Sequence, residues 1–519
     1  MKRILTGAVV GISILFSATI SSAAPPDDTF IVGLPTDTKG LEPAQISSRH
    51  TANIMKHIFG QLYSVSETGS IDPNLAESYK VSDDGKEYTF TLKKGLTCHD
   101  GEPLTAEDAA YSFNRVADPE LAFTGNSAGF VYKSIDFIEA RADSELDVTI
   151  VLGGPNHIAL GLIAEIYVHC KGSYESMSKE EAASNPVGSG PYEFVKWDKG
   201  SQIVLKKAKN PPIPTNFENI IWRVIPEAST RTAELIAGNV DMITNASPDQ
   251  VEAIDASSTA SVSKVQGTRR MYVGFHQGPE FAVTPGGAAI QKPEVRRALQ
   301  YAVDVEAICA NLLNAPCTRM TGIVNPNNAH PTLKPYPYDP EISEYLLDQA
   351  GYPRDANGVR FEMTLQAGEG RYLNDKNVVL AICQYLDDVG VKTNCEIMDW
   401  SSVYIPLIIK KAAGPMYFIG SGGATWSPLY DMADLSKPDS GPNYTKWMNE
   451  EWFKGWKVIN NTTNEYIIRR EVDRMLEVFY NEGPWLHLYF QPDFYGVSNR
   501  VSWSPRRDEK VDLFKATLK

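Results

Sequence analysis

Between Tyr88 and Leu92 the chain alternates strictly, with Tyr88, Phe90 and Leu92 set against Thr89 and Thr91. Period-two alternation of aromatic and β-branched residues predicts a strand that buries one face. Asp83, Asp84 and Gly85 turn the chain into it, Lys94 and Gly95 close it, and Asp100-Gly101 is a second turn signal. Thr105 then precedes Asp108 by three residues, the spacing of a helix cap in which hydroxyl and carboxylate each serve a backbone amide of the other. Ala109, Phe113 and Val116 form the inward stripe of that helix. Strand, turn and capped helix in close succession point to a mixed fold, α/β or α+β.

The same alternation of elements runs on. Strands are expected at 29–34, 147–152, 192–197, 202–206, 220–225, 240–243, 270–276, 361–365, 392–397, 486–490 and 494–497. Helices are expected at 54–62, 230–237, 293–313, 341–350, 377–388 and 464–480. Asp198-Lys-Gly-Ser201 joins two of the strands as a hairpin. A chain of 519 residues exceeds what one core serves, so two or more lobes are expected. The formal net charge of −15 argues against nucleic acid as a partner, because phosphate contacts need a cationic surface.

Residues 1–23 read as an export signal: Lys2 and Arg3, an apolar run from Gly7 to Ile20, and small residues at Ser21-Ser-Ala-Ala24. Cleavage is placed after Ala23, which keeps Pro25 from the position after the cut. No cysteine precedes Cys98, so a lipid anchor is not expected, and no later stretch is apolar for long enough to span a bilayer. The six cysteines of an exported chain favour disulfides, with about 15 connectivities open to them. Closeness in sequence selects Cys309 with Cys317 and Cys383 with Cys395, leaving Cys98 with Cys170. Buried free thiols are the alternative.

The run from Ala76 to Arg115, with its His-Asp-Gly-x-Pro-Leu-Thr-Ala-Glu-Asp turn and Tyr-Ser-Phe-x-Arg helix, resembles the identifying segment of family 5 solute-binding proteins. These are extracytoplasmic receptors of peptide, nickel and opine ABC importers. The resemblance continues at Asn185-Pro-Val-Gly-Ser-Gly-Pro-Tyr192, at Val295-Arg-Arg-Ala-Leu-Gln-Tyr-Ala-Val-Asp304, and from Tyr338 to Pro353. It implies a two-lobed periplasmic-binding-protein fold of type II, with an extra subdomain and a hinge of two crossings. Lobe I would span 24–270, including the subdomain at roughly 45–184; lobe II would span 271–487, and 488–519 would return to lobe I. It further implies a periplasmic monomer with no cofactor, served by membrane permease and ATPase subunits.

The resemblance also places the binding site. The loop Ser421, Gly422, Gly423, Ala424, Thr425, Trp426 would face the cleft. Its glycines permit close backbone approach, Ser421 and Thr425 offer hydroxyls, and Trp426 an apolar face. Peptide-binding relatives carry an aspartate here that pairs with the ligand's α-amino group, and this loop has no acid before Asp431. That departure keeps an opine, sugar or sugar phosphate open beside an oligopeptide or dipeptide. Arg371, with Tyr372, is the candidate grip for a carboxylate or phosphate, and Thr36 and Asp37 follow the first strand at the cleft border. Trp400, Tyr404 and Tyr417 are candidates for the second lobe's wall.

Metal chemistry is not expected: His99 sits in a structural turn, and His276, His330 and His487 are isolated. Gly-x-Ser-x-Gly and Gly-x-x-x-x-Gly-Lys are both absent, which removes the nucleophile elbow and the phosphate loop. Binding rather than catalysis is therefore expected. A periplasmic hydrolase and a chemoreceptor partner are the other classes considered.

Overall fold

A computed structural model describes residues 25–45, 48–125, 127–315, 317–422 and 427–519. The leader expected over 1–23 lies outside them. β1 (Thr29–Leu34) is followed by helix α1 (Arg49–Ile58), which begins five residues earlier than periodicity suggested because Ser48 caps it, accepting from the Thr51 amide at 3.3 Å. β2 (Ala76–Val81), β3 (Glu87–Leu92), β4 (Phe137–Ala142) and β5 (Asp147–Leu152) make a separate antiparallel sheet in the order β2-β3-β5-β4. Tyr88, Phe90 and Leu92 of β3 are buried, as the alternation requires. Helix α2 (Ala106–Ala117) covers this sheet at β4 and β5. Its cap forms as read: the Asp108 carboxylate accepts from the Thr105 amide at 2.7 Å and the Thr105 hydroxyl at 3.0 Å.

Two of the recognised motifs meet here. His99 accepts from the Gly188 amide through Nδ1 and donates to the Gly190 carbonyl through Nε2, at 3.3 and 2.9 Å. Gly188 and Gly190 lie against the end of α1, where the Gly190 amide donates to the Ile58 carbonyl at 2.8 Å. A Cβ on Gly188 would sit 2.0 Å from that oxygen, so only glycine fits.

The main sheet continues with β6 (Tyr192–Asp198), β7 (Gln202–Lys207), β8 (Asn219–Val224), β9 (Met242–Ile243), β10 (Ala260–Phe275), β11 (Phe361–Glu369), β12 (Val391–Asp399), β13 (Met416–Ser421) and β14 (Trp485–Ser498). Its order is β6-β7-β8-β1-β9-β14-β10-β13-β11-β12. One side of the sheet holds the N-terminal strands, with Phe30, Val32, Ile220 and Trp222 buried. The other holds the later strands, with Leu365 and Phe418 buried together with Val379 and Ile382 of the helix Asp375–Asp388. β10 and β14 link the two sides, antiparallel along their whole length. The strand expected at 270–276 is thus only the end of β10, and the two expected at 486–490 and 494–497 are one strand.

The register between these two strands slips midway. From Gln266↔Pro492 to Arg270↔Phe490, β10 advances four residues and β14 two. Gly267, Thr268 and Arg269 thus stand opposite Gln491 alone and form a bulge, a device that redirects side chains beside functional sites. A Cβ on Gly267 would come 2.4 Å from the Gln491 carbonyl oxygen.

The helix expected over 293–313 is two helices, Pro293–Gln300 and Val305–Leu312. Asp304 breaks it by acting as the second helix's cap, accepting from the Ala307 amide at 2.8 Å. The cysteines are joined Cys98–Cys170, Cys309–Cys317 and Cys383–Cys395, the pairing that sequence closeness selects, with Cα separations of 6.0, 5.7 and 6.4 Å.

Candidate functional site

α1 presents Arg49, Asn53 and Lys56 at intervals of four and three residues, hence on one face. That face borders a cavity of about 290 Å³. The β10 bulge contributes Arg269 to its wall, the loop after β11 contributes Arg371 and Tyr372, and the end of β13 contributes Gly420, Ser421 and Gly422. Lys510 and Glu165 close one side, and Trp400, Tyr430 and Tyr444 give aromatic surface.

The cations are unequally engaged. Arg269 donates to Glu509 through Nε and, at 2.8 Å, through Nη2, and its Nη1 donates to the Gly420 carbonyl at 3.3 Å. Lys56 is paired with Asp512, and Lys510 with Glu165 at 2.8 Å. Arg371 reaches Glu509 only at 3.7 Å and rests over the Tyr372 ring, 5.2 Å from its centroid. Burial, and then the neighbouring Arg269 charge, lower the Arg371 pKa. Arg49 forms no ion pair among the described residues, and its buried Nε has no hydrogen-bond partner. Burial works against the Glu509 charge, but Arg269 outweighs it and holds that carboxyl well below the usual range.

The expected site residues divide. Arg371, Tyr372, Ser421 and Gly422 line the cavity. Gly423, Thr425 and Trp426 lie outside the described residues. Tyr372 is a brace as well as a wall, its hydroxyl donating to the Gly420 carbonyl at 3.2 Å and accepting from the Gly420 amide at 2.9 Å. Gly422 leaves room for Arg269, whose Nη2 would lie 3.2 Å from an added Cβ. Thr36 and Asp37 are not part of this wall. Asp37 instead ties down the β6–β7 hairpin, accepting from Trp197 Nε1 at 3.2 Å and from the Gly200 amide at 2.6 Å. Trp400 lines the cavity, whereas Tyr404 and Tyr417 are core.

The Ser421 hydroxyl is already committed. It donates to Asp434 at 2.6 Å and accepts from Arg270 at 2.9 Å. Asp434 also lines the cavity, so an acid serves this wall although the loop itself has none. Burial pushes its carboxyl up in pKa, against the pull of Arg270. Asp431 is fully buried and accepts from the Asn325 amide and side chain at 2.9 and 2.8 Å. Sequence reasoning missed Arg49, Arg269, Asp434 and Glu509. Only Arg49 had a usable signal, because a register of i, i+4, i+7 with Asn53 and Lys56 marks a polar helix face.

The profile of the bacterial extracellular solute-binding proteins, family 5 Middle, matches residues 70–443. The chain belongs to this family. It is 25% identical over 523 residues to heme-binding protein A of Haemophilus influenzae, covering 93% of this chain and 91% of the relative. It is 26% identical over 489 residues to the glutathione-binding protein GsiB of Escherichia coli K12, covering 91% of each. Among solved structures, the periplasmic binding protein DppA of Helicobacter pylori in complex with the peptide STSA superposes with a TM-score of 0.81 at 21% identity, covering 94% of this chain and 98% of that one. AgaA of A. tumefaciens R10 in complex with agropinic acid gives 0.79 at 22%, covering 95% and 99%.

Members of the family are extracytoplasmic solute-binding proteins that work with the permease and ATPase subunits of ABC importers, and this chain has their two-lobed fold. Among the described residues, no helix is long and apolar enough to cross a membrane, and no group of acidic, histidine or cysteine side chains is arranged to hold a metal ion.

Proposed function

We propose that the protein, as the periplasmic receptor of an ABC importer, captures a small carboxylate-bearing solute of the peptide or opine class. Arg49 carries this reading. It lines the cavity, its Nε is buried without a partner, and Arg371, whose counter-charge stands 3.7 Å away, lines the same space. A guanidinium with unspent donors matches a carboxylate in shape and charge. Asp434 provides an acid for an ammonium group of the same solute, in place of the one missing from the loop after β13. Relatives named for glutathione and agropinic acid, both carboxylate-bearing, support the same class.

Lobes open in solvent, the solute docks on one, and the other closes over it. Closure is stabilised only by contacts the solute makes in the closed state. Trp426, if it packs on the solute, adds roughly 1–3 kcal/mol, which Trp426→Ala would remove. The protein acts as an exported monomer, its leader removed after Ala23.

The test is a thermal-shift screen of unfolded and refolded protein, which removes carried ligand. The panel contains di- to pentapeptides with free and amidated C-termini, opines, and sugars with and without phosphate. A solute at a hundredfold excess over its dissociation constant adds about 2.7 kcal/mol of stability. Stabilisation by free-carboxylate compounds that amidation abolishes is expected. Stabilisation by sugars or sugar phosphates alone would overturn the assignment.

A further inference from the structure

Behind the cleft lies a second, smaller chamber of about 30 Å³. Arg49, Asn53 and Arg371 line both spaces and form the partition between them. Thr244, Asp493, Glu509 and His50 also line the chamber. About 10–15 Å³ of such space holds one water, so the chamber suits a group of two or three heavy atoms.

Its chemistry is that of a donor cage. Thr244 is 3% exposed, and its hydroxyl has no hydrogen-bond partner. Arg49 Nε is buried and equally unpartnered. Asn53 is spent, donating to the Glu509 carbonyl at 3.0 Å and accepting from the Val511 amide at 3.1 Å. Burial, and then the Arg371 charge, lower the His50 pKa to about 3, so the ring carries no charge. Burial, and then the Glu509 charge, push the Asp493 carboxyl up, and its Oδ2 is buried without a partner. Glu509 is engaged by both Arg269 bonds. Arg49 and Arg371 together therefore leave positive charge facing the space, which a metal cation would meet as repulsion.

We propose that this chamber is a subsite for a compact monoanion, filled by a slender carboxylate arm of the bound solute. This deepens the reading of a carboxylate-bearing solute and rests on it for the identity of the occupant. It adds a constraint of shape: the anion must stand at the end of an unbranched arm to pass Arg49 and Arg371, which a phosphate on a sugar ring does not do. A free halide shares the chemistry and would compete for the same donors.

The test uses the refolded full-length protein and the small anions themselves. Sodium formate, and separately sodium bromide, is titrated at constant ionic strength kept with sodium isethionate, and the melting temperature is followed. The wild type is expected to show a saturable rise with formate. Thr244→Val, which keeps the side chain's shape and gives up no existing bond, should weaken formate binding about tenfold, the scale of a hydrogen bond to a charged group. Arg49→Gln should abolish it. The melting temperature of each variant in isethionate alone reports whether it folds, and either variant suffices. A bromide response lost in the same variants would show that the cage takes any compact monoanion, whereas formate alone would reserve it for carboxylate. No saturation in the wild type, or saturation unchanged in a folded variant, overturns the proposal. Formate binding in a protein that no carboxylate-bearing solute stabilises would sink the proposed solute class and leave the chamber standing. The opposite pattern would sink the chamber alone.

Discussion

Replacing Glu509 by glutamine removes one negative charge from between two arginines at constant size. Glu509 takes two bonds from Arg269 and lies 3.7 Å from Arg371. A solute carboxylate on the far side of the Arg371 guanidinium would sit roughly 7 Å from the Glu509 carboxylate. Like charges at that distance repel by about 2 kcal/mol at an effective dielectric of ~20. Part of this is screened in a cleft reached by solvent, so Glu509→Gln should tighten carboxylate binding by about tenfold. The same change removes the counter-charge of Arg269 and Arg371, whose side chains are 9% and 16% exposed. Breaking a buried pair from one side costs about 3–5 kcal/mol, so stability should fall while affinity rises. Calorimetric titration with the solute chosen by the thermal-shift screen reads the first effect, and urea unfolding reads the second. A variant with a native circular-dichroism spectrum and tenfold weaker binding would refute the reasoning, because Glu509 would then shape the site rather than oppose the anion.

Three further outcomes are expected. Glu42 is buried and lies 3.0 Å from His169 and 3.1 Å from Arg115; burial opposes its charge, but these partners outweigh burial and lower its pKa from 4.5 to about 2. A depressed carboxyl stabilises the fold above its unfolded pKa and loses that contribution as pH falls from about 4.5 towards 2, on the order of 3 kcal/mol. Glu42→Gln should therefore flatten the acid limb of a stability–pH curve, and an unchanged limb would count against the pairing. Chain-entropy reasoning gives about 4 kcal/mol for the Cys98–Cys170 link, separated by 72 residues, and about 2.5 for Cys309–Cys317, separated by 8; paired serine variants compared by urea unfolding should keep that order. Gly188→Ala should cost about 3 kcal/mol by overpacking against the Ile58 carbonyl, and a near-neutral melting temperature would contradict the close approach.

What could be read beforehand was local. The alternation of Tyr88, Phe90 and Leu92, the Thr105–Asp108 cap and the cysteine spacings are short-range facts, and each appears in the fold as read. Asp304 was misplaced within one long helix because periodicity does not distinguish an interior acid from a cap. Asp37 was placed at the cleft border, whereas the structure uses it to anchor a hairpin about 160 residues on, beyond any local pattern. Arg269 enters the cleft because a strand slips register, and a slip leaves no trace in an alternation of buried residues. Glu509 lies 240 residues from Arg269; their pairing exists only after β10 and β14 have aligned. Ser421 was identified as a cleft residue, whereas its engagement with Asp434 and Arg270 depends on two separate segments converging.

The cleft draws on residues spread from Arg49 to Lys510, and its decisive counter-charge, Glu509, comes from a segment remote in sequence from the arginines it serves. Arg269 and Glu509 are 240 residues apart in sequence, and Lys56 and Asp512 are 456 apart. A chain that has not yet closed these contacts presents no complete wall. A solute that needs the whole wall therefore selects folded protein and cannot serve as a template for folding.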